Sequence, residues 1–206
     1  IFTTMQQRLY QPMMTDVSAQ VNETLERDGV AVLPHTIDPA LLTSLQHAFQ
    51  ERLTARRWNT TDGFEQNERW RLLVEDLFLV HPHFTKTALD APVLDALDDY
   101  FGATPYRLTE ARGWQTIKTR TQFHNWHNDA WYDEALPSVP KQIKLGVYLT
   151  DVTSGYFSYV AGTHKLGLRP SHWNDRQVAE IDRPIKDITG PAGTMFLFDT
   201  SGIHRQ

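Results

Sequence analysis

Residues 143–160 read IKLGVYLTDVTSGYFSYV. Across Ile143–Leu149, apolar Ile143, Leu145, Val147 and Leu149 alternate with Lys144, Gly146 and Tyr148. This period of two marks a strand with two unlike faces. Ser154-Gly155 is a turn signal, and Tyr156–Val160 predicts the next strand. Further on, Gly190-Pro191-Ala192-Gly193 leads into another strand, Thr194–Phe198. On the N-terminal side, Tyr106 to Phe123 predicts two strands around Arg112-Gly113.

The first half has a different period. Met14 to Arg27 carries Val17, Val21 and Leu25 at helical spacing, with Thr15 or Asp16 as N-cap. Asp28-Gly29 ends that helix, and Val30–Leu33 reads as a short buried strand closed by Pro34. Asp38-Pro39 opens an amphipathic helix marked by Leu41, Leu42, Leu45, Ala48, Phe49 and Leu53. Val93 to Phe101, stopped by Gly102, is another. Helices first and short strands later predict an α+β chain, with helices packed on a mainly β sandwich or barrel. No linker divides residues 1–206, so one domain is expected: helical support over about 1–104 and a β core over about 105–206. The chain begins at Ile1 and stops at Gln206, and residues are expected beyond both ends.

Composition narrows the function. A formal net charge of −5 argues against a nucleic-acid partner, which would call for a basic face. There is no cysteine, which excludes disulfides, thiolate metal sites and thiol nucleophiles. No apolar run reaches membrane-spanning length and no leader pattern opens the chain. The expectation is a cytoplasmic protein acting on a small molecule; oligomeric state is not legible.

In Trp126-His127-Asn128-Asp129, a histidine and an aspartate stand two positions apart. On a strand they share a face and can offer one nitrogen and one carboxylate oxygen to the same ion. With one more histidine from a distant strand they would form a two-histidine, one-carboxylate set with open positions, which suits oxygen activation at iron. With nine histidines and 16 aspartates in 206 residues, His-x-Asp arises by chance about 0.7 times, so on spacing alone a histidine hydrogen-bonded to a nearby acid is the better reading of the triplet.

The motifs around it are more specific. Trp126–Asp129, the strand Lys144 to Val152, and Ser154-Gly155-Tyr156-Phe157 followed by Val160-Ala161-Gly162-Thr163-His164-Lys165 come in order. Gly190–Thr194 and Asp199-Thr200-Ser201-Gly202-Ile203-His204-Arg205 follow them. This series resembles the phytanoyl-CoA dioxygenase family of iron(II)/2-oxoglutarate-dependent oxygenases, over about Gly113 to Gln206. The resemblance implies a double-stranded β-helix, or jelly roll, with iron(II) on His127, Asp129 and His204. It implies 2-oxoglutarate and O2 as co-substrates, succinate and CO2 as co-products, and hydroxylation of a C–H bond in a small metabolite or natural-product intermediate. An aspartate at 129 fits hydroxylation, because halogenases of this fold put glycine or alanine there. The alternative is a non-catalytic metal-binding jelly-roll module that has lost 2-oxoglutarate turnover.

Further roles follow from the same resemblance. Asn128 stands where a polar residue meets the 2-oxoglutarate C1 carboxylate, and Lys144 and Tyr148, on one strand face, are candidates for the same pocket. The family's arginine anchor for the far carboxylate is expected about ten residues beyond the distal histidine, past Gln206. Arg205 adjoins His204 and so points to the opposite face. The Thr153-Ser154-Gly155 turn is shorter than the family's, with Tyr156 where proline is common. Trp131 is a candidate wall of the substrate pocket, and Trp126 reads as core. His124 reads as surface, His164-Lys165 as a structural turn, His81-Pro82-His83 as a loop turn, and Asp95, Asp98 and Asp99 as a solvated helix face. Trp58, Arg69, Trp70 and Arg71 lie in a segment expected before the barrel, with a loop between Asn59 and Asn67.

Overall fold

The computed structural model describes residues 16–55, 71–116, 125–129 and 135–206. Helix α1 (Asp16–Asp28) stops at Gly29, whose φ of +81° suits glycine, and β1 (Val30–Val32) follows. Helix α2 (Pro39–Thr54) starts as its sequence dictates: Asp38 accepts from the Ala40 and Leu41 amides, and proline occupies the first turn. Next come β2 (Arg71–Val74), α3 (Leu77–Val80), α4 (Pro82–Ala88) and α5 (Ala91–Phe101). The remaining elements are β3 (Gly113–Thr116), β4 (Trp126–Asn128), β5 (Ile143–Val147), β6 (Val152–Val160), a 3-10 turn at Thr163–Leu166, β7 (Ser171–Trp173), α6 (Asp175–Glu180), β8 (Ile185–Gly190), β9 (Met195–Asp199) and β10 (His204–Arg205).

Among the described residues the strands form a three-stranded sheet, β1-β9-β5, a five-stranded sheet, β7-β4-β10-β6-β8, and a separate β2-β3 pair. Every pairing is antiparallel. The alternation in β5 and β9 explains the layers. Ile143, Leu145, Val147, Met195 and Leu197 join α1, α2 and α5 residues (Val21, Leu25, Leu45, Val93, Ala96 and Tyr100) in one core. The opposite faces bring Tyr148, Phe196 and Phe198 against Phe157, Tyr159 and Ile188 of the larger sheet. Helices therefore cover the outside of the small sheet, and its inside closes on the large sheet as a jelly roll. Gly146 belongs to this closure: a Cβ there would collide with the Phe196 ring.

Several expectations change. Among the described part of Tyr106–Phe123 only Gly113–Thr116 is a strand. Its partner is β2, with Leu73 opposite Trp114, so Arg71, expected only in a segment before the barrel, lies in a strand. Such a pairing between distant segments leaves no local signal. His81-Pro82-His83 is a helix start: Pro82 opens α4 and the His81 ring accepts from the His83 amide at 3.2 Å. The strand expected at Tyr156 begins at Val152, and its ladder slips between Val152 and Phe157, where Gly155 has φ +62°. The Ser154-Gly155 turn signal is thus a bulge within one strand. Strands β7 and β8 and helix α6, capped by reciprocal Asn174–Gln177 bonds, were not anticipated. Asp98 is not merely solvated, because it accepts from the Tyr106 hydroxyl at 2.6 Å. No helix among the described residues is long and apolar enough to cross a membrane.

Leu197 is fully buried on the middle strand of the small sheet, where helices and sheet meet. Leu197→Ala is expected to cost about 2–5 kcal/mol, read as a lower denaturant midpoint with an unchanged slope.

Candidate metal centre

Strand β10 is two residues long and lies between β4 and β6. Its first residue, His204, sits directly opposite His127 on one side and Tyr159 on the other. Residues in register across antiparallel strands share a face, so both imidazoles point into the roll. Their ring centroids are 4.5 Å apart. Asp129, just past β4, is fixed by its amide bonding to the Thr200 carbonyl at 3.0 Å. Its Oδ1 is 3.6 Å from His127 Nε2 and its Oδ2 3.8 Å from His204 Nε2. One donor atom from each of the three residues lies within 4.8 Å of the others.

The supporting bonds suit metal binding. His127 Nδ1 lies 2.9 Å from the Asn125 carbonyl, and His204 Nδ1 2.9 Å from the Gly202 carbonyl. Each ring thereby donates from Nδ1 and turns the Nε2 lone pair toward Asp129, the arrangement that orients metal-binding histidines. Burial pushes the His204 pKa down to about 3, and neighbouring His127 acts in the same direction. Burial likewise lowers His127. Both rings are therefore neutral at neutral pH, as metal ligation requires. Burial opposes ionisation of Asp129, but His204 and Lys144 outweigh it and hold the carboxyl below its ordinary value. The Lys144 Nζ is 2.6 Å from Asp129 Oδ2. Two neutral imidazoles and one carboxylate form a donor set that fits a divalent transition metal.

The inner face around this group is aromatic. Phe157 and Phe198 stand 5.6 and 5.1 Å from the His204 ring, and Tyr159 stacks on it at 6.2 Å. The other sequence-predicted residues divide. Lys144 joins the group. Tyr148 lies on the same inner face, yet its hydroxyl donates to the Ile188 carbonyl at 2.7 Å and accepts the Phe157 amide at 3.1 Å, which gives it a structural task. Asn128 is turned to the opposite face from His127. Its amide group donates to the Leu168 and Arg169 carbonyls, and its oxygen accepts from the Ser171 amide and Trp173 Nε1. All of its main hydrogen-bonding capacity is spent on fastening β7 to β4, so it does not reach the triad. Trp131 and His124, with Trp58, Arg69, Trp70 and the Asn59–Asn67 loop, lie outside the described residues. His164 is part of the 3-10 turn and reaches the Glu26 carbonyl at 3.2 Å.

Sequence reasoning missed His172. It is the register partner of His127 on β7, exposed, with the two rings 6.2 Å apart. Only the β4–β7 pairing reveals it. Asp175 was missed as well. On the outer face of the sheet its Oδ1 accepts both Trp126 Nε1 and Arg205 Nη1 at 2.8 Å, and the Arg205 guanidinium lies 4.1 Å over the Trp126 ring. Trp126 and Arg205 each adjoin one of the two histidines. Arg205 points away from the triad, as its sequence position required. A cavity of about 460 Å³ elsewhere is walled by Tyr100, Lys141, His164, Arg169, Asp199 and Ser201, and by none of the converging residues. The centre is thus recognised from donor geometry and not from cavity size.

The phytanoyl-CoA dioxygenase family model matches residues 25–205. The chain belongs to this family. Membership makes it an iron(II)/2-oxoglutarate oxygenase-type protein. No curated protein sequence matches the chain. Solved structures share its fold. EctD from S. alaskensis, with 2-oxoglutarate and 5-hydroxyectoine, is 21% identical with a TM-score of 0.70, over 93% of this chain and 71% of that one. SnoK, a non-heme alpha-ketoglutarate-dependent carbocyclase from nogalamycin biosynthesis, is 20% identical with a TM-score of 0.64, over 92% and 77%. HygX from Streptomyces hygroscopicus, with nickel, 2-oxoglutarate and hygromycin B, is 20% identical with a TM-score of 0.59, over 93% and 80%.

Two outcomes are expected. In the unfolded chain His204 takes up its proton near the ordinary value of 6.5, but in the folded chain only near about 3. The unfolded state then binds more protons between these values, so this residue lowers the stability of the metal-free protein as pH falls through that window. Denaturation midpoints should show the loss, and His204→Asn should flatten the slope. Asp175→Ala should weaken Co(II) binding up to about tenfold through the loosened strand pair. A lower melting temperature with unchanged Co(II) affinity would limit Asp175 to a stabilising role.

Proposed function

We propose that the chain is an iron(II)- and 2-oxoglutarate-dependent dioxygenase that hydroxylates a C–H bond of a small metabolite or natural-product intermediate, with succinate and CO2 as co-products. The carrying observation is the convergence of His127, Asp129 and His204 with both imidazoles fixed in the ligating orientation. Three ligands on one face would leave three positions of an octahedron for a bidentate 2-oxo acid and for dioxygen. The bound iron would supply oxygen activation, and the protein holds the reactants and keeps bulk water away.

The residues around the triad have separable tasks under this reading. Lys144 offers a cation on the side where a dianionic co-substrate would approach. Phe157, Phe198 and Tyr159 build a dry wall behind His204, which protects a reactive centre from solvent. His172, on the edge strand, offers a hydrogen-bonding group on the side of His127 away from His204, where a polar substituent of the substrate would lie. The small molecules named with EctD and HygX support a metabolite-sized substrate. Asp129 supports hydroxylation over halogenation, since its carboxylate occupies the place a halide would need.

The test is reconstitution of the full-length protein with Fe(II), ascorbate and 2-oxoglutarate, followed by succinate measurement with and without candidate substrates. Succinate should form above the metal-free control. His127→Ala, Asp129→Ala and His204→Ala should each lower its rate by more than the about 10–100-fold typical of losing a supporting contact. A metal-loaded protein that neither binds 2-oxoglutarate nor forms succinate would sink the proposal.

A further inference from the structure

Lys144 sets the charge of the centre. Its side chain is on the inner face of β5, about one-third exposed (31%), and its Nζ is 2.6 Å from Asp129 Oδ2. Two consequences follow for any dication held by Asp129. The carboxylate is already engaged by an ammonium, so the metal must compete with an ion pair of the chain itself. A metal that reaches Asp129 also stands beside a fixed positive charge. Both effects oppose a bare dication.

The balance reverses when a dianion arrives. Asp129 and Lys144 cancel, so the centre is neutral when empty of metal and carries two positive charges with a divalent ion. A 2-oxo diacid supplies two negative charges, and the ammonium then attracts what it previously lacked. We infer that Lys144 couples the two ligands: it weakens binding of the metal alone and strengthens binding of the dianionic co-substrate to the metal-loaded centre. Metal retention then depends on the co-substrate, a coupling that is reciprocal by thermodynamic necessity. The co-substrate half rests on the proposed function; the metal half does not.

The test titrates the full-length protein with Co(II), followed by visible absorption, and then titrates the Co(II)-loaded protein with 2-oxoglutarate. Lys144→Met keeps the length of the side chain and removes the charge; Lys144→Arg keeps the charge. A unit charge beside a dication, screened by partial exposure, sets a scale of about tenfold or more. Lys144→Met should therefore bind Co(II) alone about tenfold more tightly and 2-oxoglutarate about tenfold more weakly, whereas Lys144→Arg should stay near wild type in both. Equal or weaker Co(II) binding by Lys144→Met overturns the inference, whatever 2-oxoglutarate does. Tighter Co(II) binding with undiminished 2-oxoglutarate affinity overturns the coupling. If Lys144→Met does not fold, Lys144→Gln carries the same comparison. A wild-type protein that binds Co(II) but not 2-oxoglutarate sinks the proposed function and the co-substrate half together, and the Co(II) titrations still decide the metal half.

Discussion

Strand β10 is held on both sides, and the centre depends on that. A two-residue strand has few hydrogen bonds of its own, yet it must present His204 across from His127 with the ring buried and its Nε2 turned to Asp129. Burying an imidazole in this way is costly without partners. The Nδ1 bond to Gly202 covers one nitrogen, and the aromatic wall of Phe157, Tyr159 and Phe198 keeps the ring neutral and in place. On the outer face, Asp175 ties Trp126 to Arg205, the residues next to His127 and His204. Strand alternation thus divides the work: one face of β4 and β10 carries donors and the other carries their fastening.

The turn feeding β10 is fixed from the helical layer. Asp199 is buried; one oxygen accepts the Tyr100 hydroxyl at 2.5 Å, and the other accepts the Ser201 amide and hydroxyl. The Tyr159 hydroxyl donates to the Asp199 carbonyl at 2.8 Å. Burial and the nearby carboxylate push both tyrosines above their ordinary pKa, so each remains a donor throughout the neutral range. Gly202 is required here, because a Cβ would strike the Tyr159 hydroxyl. Helix α5 therefore does more than cover the small sheet: Tyr100 connects it to the turn that delivers His204.

The sequence was most legible where a local pattern has a single cause. Period-two alternation located β5, and the layer structure used both of its faces as the pattern required. Asp38-Pro39 and Gly102 marked helix ends through capping chemistry. The triad was legible only because several ordered motifs surrounded a triplet that chance alone could produce. Features that depend on register between distant strands were not legible. The β2–β3 pair, His172 beside His127, and Asp175 beneath Trp126 all arise from contacts whose partners carry no mark in their own neighbourhoods. Asn128 shows the reverse error. The family resemblance implied a co-substrate contact for it, but strand alternation turns a residue at that position to the other face.

That alternation also explains why Lys144 is at the centre and Tyr148 is at its margin, although both lie on one face of the same stretch. Gly146 between them yields its space to Phe196, and the Phe196 ring stands 5.4 Å from that of Tyr148. The tyrosine hydroxyl is drawn to the bulged strand β6 and its neighbour β8, where it bonds Phe157 and Ile188. Tyr148 therefore holds the β6 irregularity in register while Lys144 alone projects to Asp129. The inner face is graded along β5, from a charged end at Asp129 to an aromatic, hydrogen-bonded floor. Among the described residues of this stretch, the charged side chain on the inner face is Lys144, beside Asp129 at the triad end.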